Sequence, residues 1–201
     1  MKIILATQRV DEVVSYKERR DALDQQWITF LKQCGYVICP LPNHSEVLVE
    51  LMKNIKHYGI LLTGGNTPVG YGGNAPERDA MDKELIKYSI ENGIPLLGVC
   101  RGMQSIVQYF GGTLKKVEGH VAVRHYVNGE VNREVNSYHG FAVDKLPECL
   151  RVCARSNDTT IEMVRHEKYP ILGMMWHPER ENPFSDEDVK LVNKLFLEGT
   201  I

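Results

Sequence analysis

The stretch Ile94-Pro95-Leu96-Leu97-Gly98-Val99-Cys100-Arg101-Gly102-Met103-Gln104 decides how the rest of the chain is read. The apolar run Ile94 to Val99 predicts a short buried strand, Gly98 to Gly102 spell a G-x-C-x-G turn, and Met103 to Phe110 have helical spacing. Strand, sharp turn and helix in that order resemble a nucleophile elbow with cysteine as the nucleophile. Such a turn holds its central residue on a strained backbone, and a Cβ on either side would block the approach of neighbouring chain and substrate. A thiol at a helix N-terminus also faces unpaired N–H groups and the positive end of the helix dipole, which favours the thiolate. The backbone N–H of Arg101 is then placed to stabilise an oxyanion. An inert core position is the commoner fate of a lone cysteine, and the flanking glycines argue against it for Cys100.

Upstream of the elbow, apolar runs and turn residues alternate. Lys2 to Ala6 predicts a strand, Thr7 to Lys17 a polar irregular segment, and Arg20 to Cys34 a helix ended by Gly35. Tyr36 to Cys39 and Tyr58 to Leu62 are further strands, with helices from Ser45 to Lys53 and from Glu77 to Asn92 and a Gly- and Pro-dense loop from Thr63 to Pro76. Strands alternating with helices predict an α/β fold, a mostly parallel sheet covered on both faces. Beyond Gly111-Gly112 the runs are short and β-like: Val121 to Val127, Glu134 to Asn136, Phe141 to Val143, Leu150 to Ala154, Ile161 to Val164 and Ile171 to Met175. The C-terminal half is therefore expected to be antiparallel or mixed, closed by a helix that Ser185 and Asp186 cap. No linker or repeat divides the chain, so a single domain over 1–201 is expected.

Composition narrows the function classes. With 201 residues, 43% hydrophobic and 25% charged, the chain can bury a full core. A net charge of −2 supplies no global basic surface for nucleic acid or membrane, although a local anion site remains open. The apolar start Met1 to Ala6 is too short for a signal peptide and no apolar run is long enough to span a bilayer, so a cytoplasmic protein is expected. Five cysteines with no C-x-x-C pair suggest neither a disulfide framework nor a zinc site; Cys34, Cys39, Cys149 and Cys153 read as small core residues. His44, His57, His120, His125 and His166 have no metal-like spacing with carboxylates, and no metal or organic cofactor is expected.

Several separated motifs then add up to a family resemblance that covers nearly the whole chain. Thr63-Gly64-Gly65-Asn66 with Pro68 and Tyr71, Glu77-Arg78-Asp79, the elbow, Gly111-Gly112-Thr113-Leu114, Val135 to His139, Ile161-Glu162 and Gly173 to Glu179 occur in the order of the class I glutamine amidotransferases. Within them the chain resembles the stand-alone γ-glutamyl hydrolase-like cysteine peptidases. The resemblance implies the flavodoxin-like class I amidotransferase fold. It implies a triad of Cys100 as nucleophile, His177 as acid and base and Glu179 as its orienter, with His139 the alternative base to test. The chemistry asks for the same types, since a thiol needs an imidazole to move its proton and the imidazole needs a carboxylate to set its tautomer. Pro178 stops a helix through His177, so the two residues can share one rigid turn.

The resemblance further implies Gly65 and Arg101 as the oxyanion hole, and Gln104, Tyr138, Gly140 and Phe141 as the residues that hold the γ-glutamyl group. Thr63 stands where the family has proline, with little consequence expected. The segment Tyr16 to Trp27 is, on composition alone, the charged start of a helix; it also resembles the N-terminal segment of the γ-glutamyl-CDP-amidate hydrolases of capsule phosphoramidate synthesis. In an open α/β sheet the loops holding Arg9, Lys17, Arg19 and Arg20 leave the same sheet edge as the elbow, so Arg19 and Arg20 are candidate contacts for a nucleotide diphosphate. The resemblance thus implies a hydrolase that frees glutamate from a small, nucleotide-linked γ-glutamyl amide through a thioester. The rivals are a γ-glutamyl-γ-aminobutyrate hydrolase and the glutaminase subunit of a synthase, for which 201 residues leave no room for a fused partner; a homodimer is left open.

Overall fold

The computed structural model describes residues 2–199. In chain order the first half comprises β1 (Ile3–Ala6), β2 (Arg9–Val13), β3 (Glu18–Ala22), α1 (Gln26–Gln33), β4 (Val37–Pro40), α2 (Ser45–Asn54), β5 (Gly59–Leu62), α3 (Pro76–Asn92), β6 (Leu96–Val99) and α4 (Arg101–Tyr109). The second half comprises β7 (Thr113–Lys116), β8 (Val121–Gly129), β9 (Arg133–Tyr138), β10 (Phe141–Lys145), β11 (Leu150–Ser156), β12 (Ile161–His166), β13 (Ile171–Met174) and α5 (Asp186–Glu198).

A nine-stranded sheet runs in the order β4-β1-β5-β6-β13-β12-β11-β8-β9. Its first five strands are parallel and, numbered among themselves, follow the flavodoxin-like order 2-1-3-4-5; the others join antiparallel. The central strands are buried on both faces because each face has its own helical cover. Ile4, Leu61, Leu97 and Val99 pack with Trp27, Phe30, Leu195 and Phe196 of α1 and α5, whereas Leu5, Ile60, Leu62 and Leu96 pack with Leu48, Leu85 and Ile106 of α2, α3 and α4. This explains why β5 and β6 read as continuous apolar runs and not as alternating ones. Gly93, at φ +64°, ends α3, and Ser185 accepts a hydrogen bond from the Asp188 N–H at the start of α5.

Three local expectations are corrected. Residues 7–17 are not irregular, and α1 does not start at Arg20: β2 and β3 form an antiparallel hairpin with Asp11 opposite Arg20 and Glu12 opposite Arg19, and α1 begins at Gln26. Cross-strand opposite charges hold such a ribbon without an alternating apolar face, so its period is invisible in hydropathy. Thr113–Lys116, read only as the end of a glycine motif, is β7 and pairs with β10. Of the four cysteines expected in the core, Cys34 and Cys153 are buried and burial pushes their thiols up to about 12 and about 11; Cys39 and Cys149 are only partly covered.

Candidate active site

The elbow forms where β6 hands over to α4. Cys100 has φ +51° and ψ −104°, a conformation that costs an L-residue roughly 1–3 kcal/mol and persists only where the surroundings over-determine it. They do so here: the Cys100 N–H donates to Met174 O at 2.7 Å, and Cys100 O accepts from the Gln104 N–H at 3.1 Å. The flanking glycines are demanded by the chain's own packing. A Cβ on Gly102 would run into Leu62 O, and one on Gly98 would stand 2.6 Å from the Gly102 carbonyl carbon. Arg101 opens α4, so its N–H has no carbonyl one turn back to bind.

The Arg101 side chain has work that its backbone role did not suggest. Fully buried, it pairs with Asp79 and Asp82 and donates to Ser105 Oγ at 3.2 Å. Arg78 bonds Asp82 at 3.1 Å and Thr63 O at 2.7 Å, and Thr63 Oγ1 donates to Thr7 O at 2.8 Å. A charged network thus ties the elbow to the loop at the carboxyl ends of β1 and β5, which gives Glu77-Arg78-Asp79 its meaning and makes Thr63 far more consequential than expected. Burial lowers both guanidinium groups to about 9, and repulsion from Arg78 adds to this at Arg101; both remain charged at neutral pH beside their carboxylates.

That loop delivers two glycines. Gly65 sits at φ +94°, open to glycine and strained for other residues, with the Arg9 side chain against its back. Gly64 was not singled out from sequence, although the Gly-Gly pair was its signal. A Cβ there would lie 2.7 Å from His177 Cε1, 3.5 Å from His177 Nε2 and 3.6 Å from Cys100 Cβ. Gly64 therefore floors the space in which thiol and imidazole meet.

His177 follows β13, and the single turn Pro178–Arg180 presents Glu179 beside it, as the proline suggested. His177 Nδ1 and Glu179 Oε1 are 2.7 Å apart, both side chains almost fully buried. Asn136 on β9 clamps the backbone of His177, accepting from its N–H at 2.9 Å and donating to its carbonyl at 2.8 Å. Burial alone would lower the imidazole's pKa; the Glu179 carboxylate, then Cys100, outweigh it and raise it to about 9. Such a site can hold a proton on the imidazole next to a nucleophilic sulfur and return it to a leaving group.

The remaining sequence candidates separate into groups. Gln104 and Phe141 meet, the Gln104 amide donating to Phe141 O at 3.1 Å. Tyr138 and His177 make a T-shaped pair, ring centroids 5.7 Å apart, and the Arg180 guanidinium lies over the Tyr138 ring, 4.5 Å from its centroid. Gly140 is exposed, and its carbonyl accepts from the Val117 N–H. Arg19 reaches from the exposed hairpin to Glu77 at the start of α3 and to Asn74 O just before it, whereas Arg20 bonds Glu18 and Tyr16 within the hairpin. The arginines that line a small cavity with Gly64, Gly65, His177 and Glu179 are instead Arg9 and Arg180. His139, the alternative base, engages Phe141 O through Nδ1 and faces Glu162 through Nε2. His120 and His125, which have no metal-like spacing with carboxylates along the chain, face the same carboxylate. No described helix is long and apolar enough to cross a membrane.

Comparison with known proteins places the chain in a family. The chain is 36% identical over 179 residues to the γ-glutamyl-CDP-amidate hydrolase of Campylobacter jejuni, covering 88% of this chain and 89% of that protein. It is 30% identical over 200 residues to the γ-glutamyl-γ-aminobutyrate hydrolase of Escherichia coli O157:H7, covering 78% of each. A crystal structure of a glutamine amidotransferase from Thermotoga maritima superposes with a TM-score of 0.61 at 17% identity, over 98% of this chain and 89% of that one. The glutamine amidotransferase class-I family matches residues 21–197, and the chain belongs to it.

Proposed function

We propose that the chain hydrolyses a γ-glutamyl amide, and specifically γ-glutamyl-CDP-amidate, to glutamate and cytidine diphosphoramidate. The observation that carries the reaction type is the strained Cys100 held beside the buried His177–Glu179 pair. In this reading the Cys100 thiolate attacks the γ-carbonyl carbon, and the electron pair moves to the carbonyl oxygen, which the N–H groups of Gly65 and Arg101 receive. Collapse breaks the carbon–nitrogen bond while the His177 imidazolium gives its proton to the departing nitrogen, leaving a glutamyl thioester. Water then attacks as His177 takes one of its protons; the carbon–sulfur bond breaks and glutamate leaves. Glu179 holds the imidazole tautomer throughout, and Gln104, Tyr138, Gly140 and Phe141 bound the glutamyl group.

The leaving group rests on the Campylobacter relative and on the hairpin. Arg9 and Arg180 line the cavity at His177, and Arg19 and Arg20 on the hairpin that carries Arg9 would meet a diphosphate by exchanging their carboxylate partners for phosphate oxygens. The test is turnover of a panel of γ-glutamyl-CDP-amidate, γ-glutamyl-γ-aminobutyrate and glutamine, read by mass spectrometry, with rapid quenching to trap the thioester on Cys100. Fastest cleavage of the nucleotide compound is expected. A marked preference for the aminobutyrate compound would move the chain to the second relative's activity. Glutaminase activity only with an added synthase would make it the glutaminase half of a larger enzyme, and no turnover of any compound would leave a binding module.

A further inference from the structure

A second constellation lies in the antiparallel half, where β8, the end of β9 and β12 converge. Glu162, fully buried, has no hydrogen-bond donor on either oxygen, yet three imidazole nitrogens face its Oε1: His120 Nδ1 at 3.4 Å, His125 Nε2 at 3.5 Å and His139 Nε2 at 3.4 Å. None of these three nitrogens has a hydrogen-bond partner either.

The tautomers explain why direct pairing fails. His120 Nε2 lies 2.8 Å from Asp158 Oδ2, and His139 Nδ1 lies 3.2 Å from Phe141 O; both partners are acceptors, so each of these nitrogens carries the hydrogen. In the neutral ring the opposite nitrogen is then a bare lone pair, and in both rings that lone pair is aimed at a carboxylate oxygen. Lone pairs converging in a buried pocket need something positive between them.

We infer that His120 Nδ1, His125 Nε2 and Glu162 Oε1 form a binding site for a divalent transition-metal ion of the zinc type, with His139 Nε2 facing the same carboxylate oxygen beside it. Donors about 2.0–2.1 Å from a tetrahedral zinc ion lie about 3.3 Å from one another, close to the three nitrogen–oxygen separations here. The donors of His120, His125 and Glu162 all fall within 4.8 Å of one another. The outer partner fits as well: a carboxylate on the far nitrogen is what orients a metal-binding imidazole, and Asp158 supplies one to His120. One divalent ion also balances Glu162 and Asp158. Imidazole and carboxylate donors without thiolate suit zinc and its neighbours better than magnesium or calcium.

The site would act structurally. His139, which faces Glu162, also bonds the Phe141 carbonyl that receives Gln104, so an ion fixing Glu162 braces one wall of the pocket beside Cys100 without touching the reacting atoms. Elemental analysis of the full chain grown with zinc should find about one equivalent per chain. Stripped protein titrated with Co²⁺ should develop the visible bands of a tetrahedral site, and Zn²⁺ should raise its Tm. His125→Ala, at the most exposed of the three ligands, should lower metal affinity at least about tenfold while the protein stays folded. Protein that holds no metal, shows no cobalt spectrum and does not shift its Tm overturns the inference. So does ¹⁵N NMR showing His120 and His139 doubly protonated at neutral pH and unchanged by Zn²⁺, because protons would then fill the place assigned to the ion.

Discussion

The elbow around Cys100 and the hairpin of β2 and β3 approach Gly64–Gly65 from opposite sides, and they are built in opposite ways. The elbow's ion pairs, Arg101 with Asp82 and Arg78 with Asp82, are buried and have no solvent to exchange with. The hairpin's pairs, Arg19 with Glu77 and Arg20 with Glu18, stand at the surface, and Asn66 holds the strand to the loop through two 2.8 Å bonds to Val10. One region is held rigid by buried charge; the other carries pairs that water and ions can reach. Exposed pairs contribute little to stability and are free to be spent on binding, whereas breaking a buried pair strands a charge.

The sharpest test of this contrast is Cys100→Ala, expected to cut turnover by at least about 10⁴-fold while leaving the fold intact, because the sulfur acts in bond making and contributes little to the core. Substantial residual hydrolysis, measured against an unchanged circular dichroism spectrum, would remove the elbow from the mechanism. His177→Asn should cost roughly 10² to 10⁴-fold in kcat/KM, and Glu179→Gln less, since a misoriented imidazole still works part of the time.

His177 also carries a pH signature. Its folded pKa of about 9 lies above its ordinary 6.5, so its protonation stabilises the fold fully below about pH 6.5, and that contribution fades as pH rises through 9. At most about 3 kcal/mol is involved. Wild-type stability should fall across this window by more than that of His177→Asn; parallel curves would contradict the raised pKa.

Next in size is Asp82→Ala, which removes the carboxylate that Arg78 and Arg101 share, leaves Arg101 with Asp79 alone and should lower unfolding free energy by about 3–5 kcal/mol in urea titration. A loss no larger than that of a surface carboxylate would erase the distinction between the two regions. Gly64→Ala should unfold nothing yet lower kcat about 10²-fold, because its Cβ displaces the imidazole 2.7 Å away. Smallest of all, Arg19→Ala and Arg20→Ala should change stability by less than about 1 kcal/mol. Each should raise KM several-fold for a nucleotide-linked substrate and leave an uncharged γ-glutamyl amide almost unaffected. Equal losses on both substrates would return these arginines to the fold.

The sequence alone determined whatever depends on neighbours along the chain. The parallel strands were legible because burial on both faces leaves unbroken apolar runs in β5 and β6. The elbow was legible because strand, glycine-flanked turn and helix follow one another along the chain, although the clash that Gly102 avoids is with distant Leu62, and the His177–Glu179 turn because Pro178 stops a helix. Tertiary structure alone decided what depends on distant groups meeting. The hairpin has no hydrophobic period and exists through cross-strand charge and Asn66. The Arg101 network needs α3 laid against α4, and Gly64 acquires its place only when β5 and β13 end at the same sheet edge. The histidines are the extreme case. His120, His125, His139 and Glu162 show no metal-like spacing in the chain, and converge only because β8, β9 and β12 lie in one antiparallel region, where distance along the chain says nothing about distance in space.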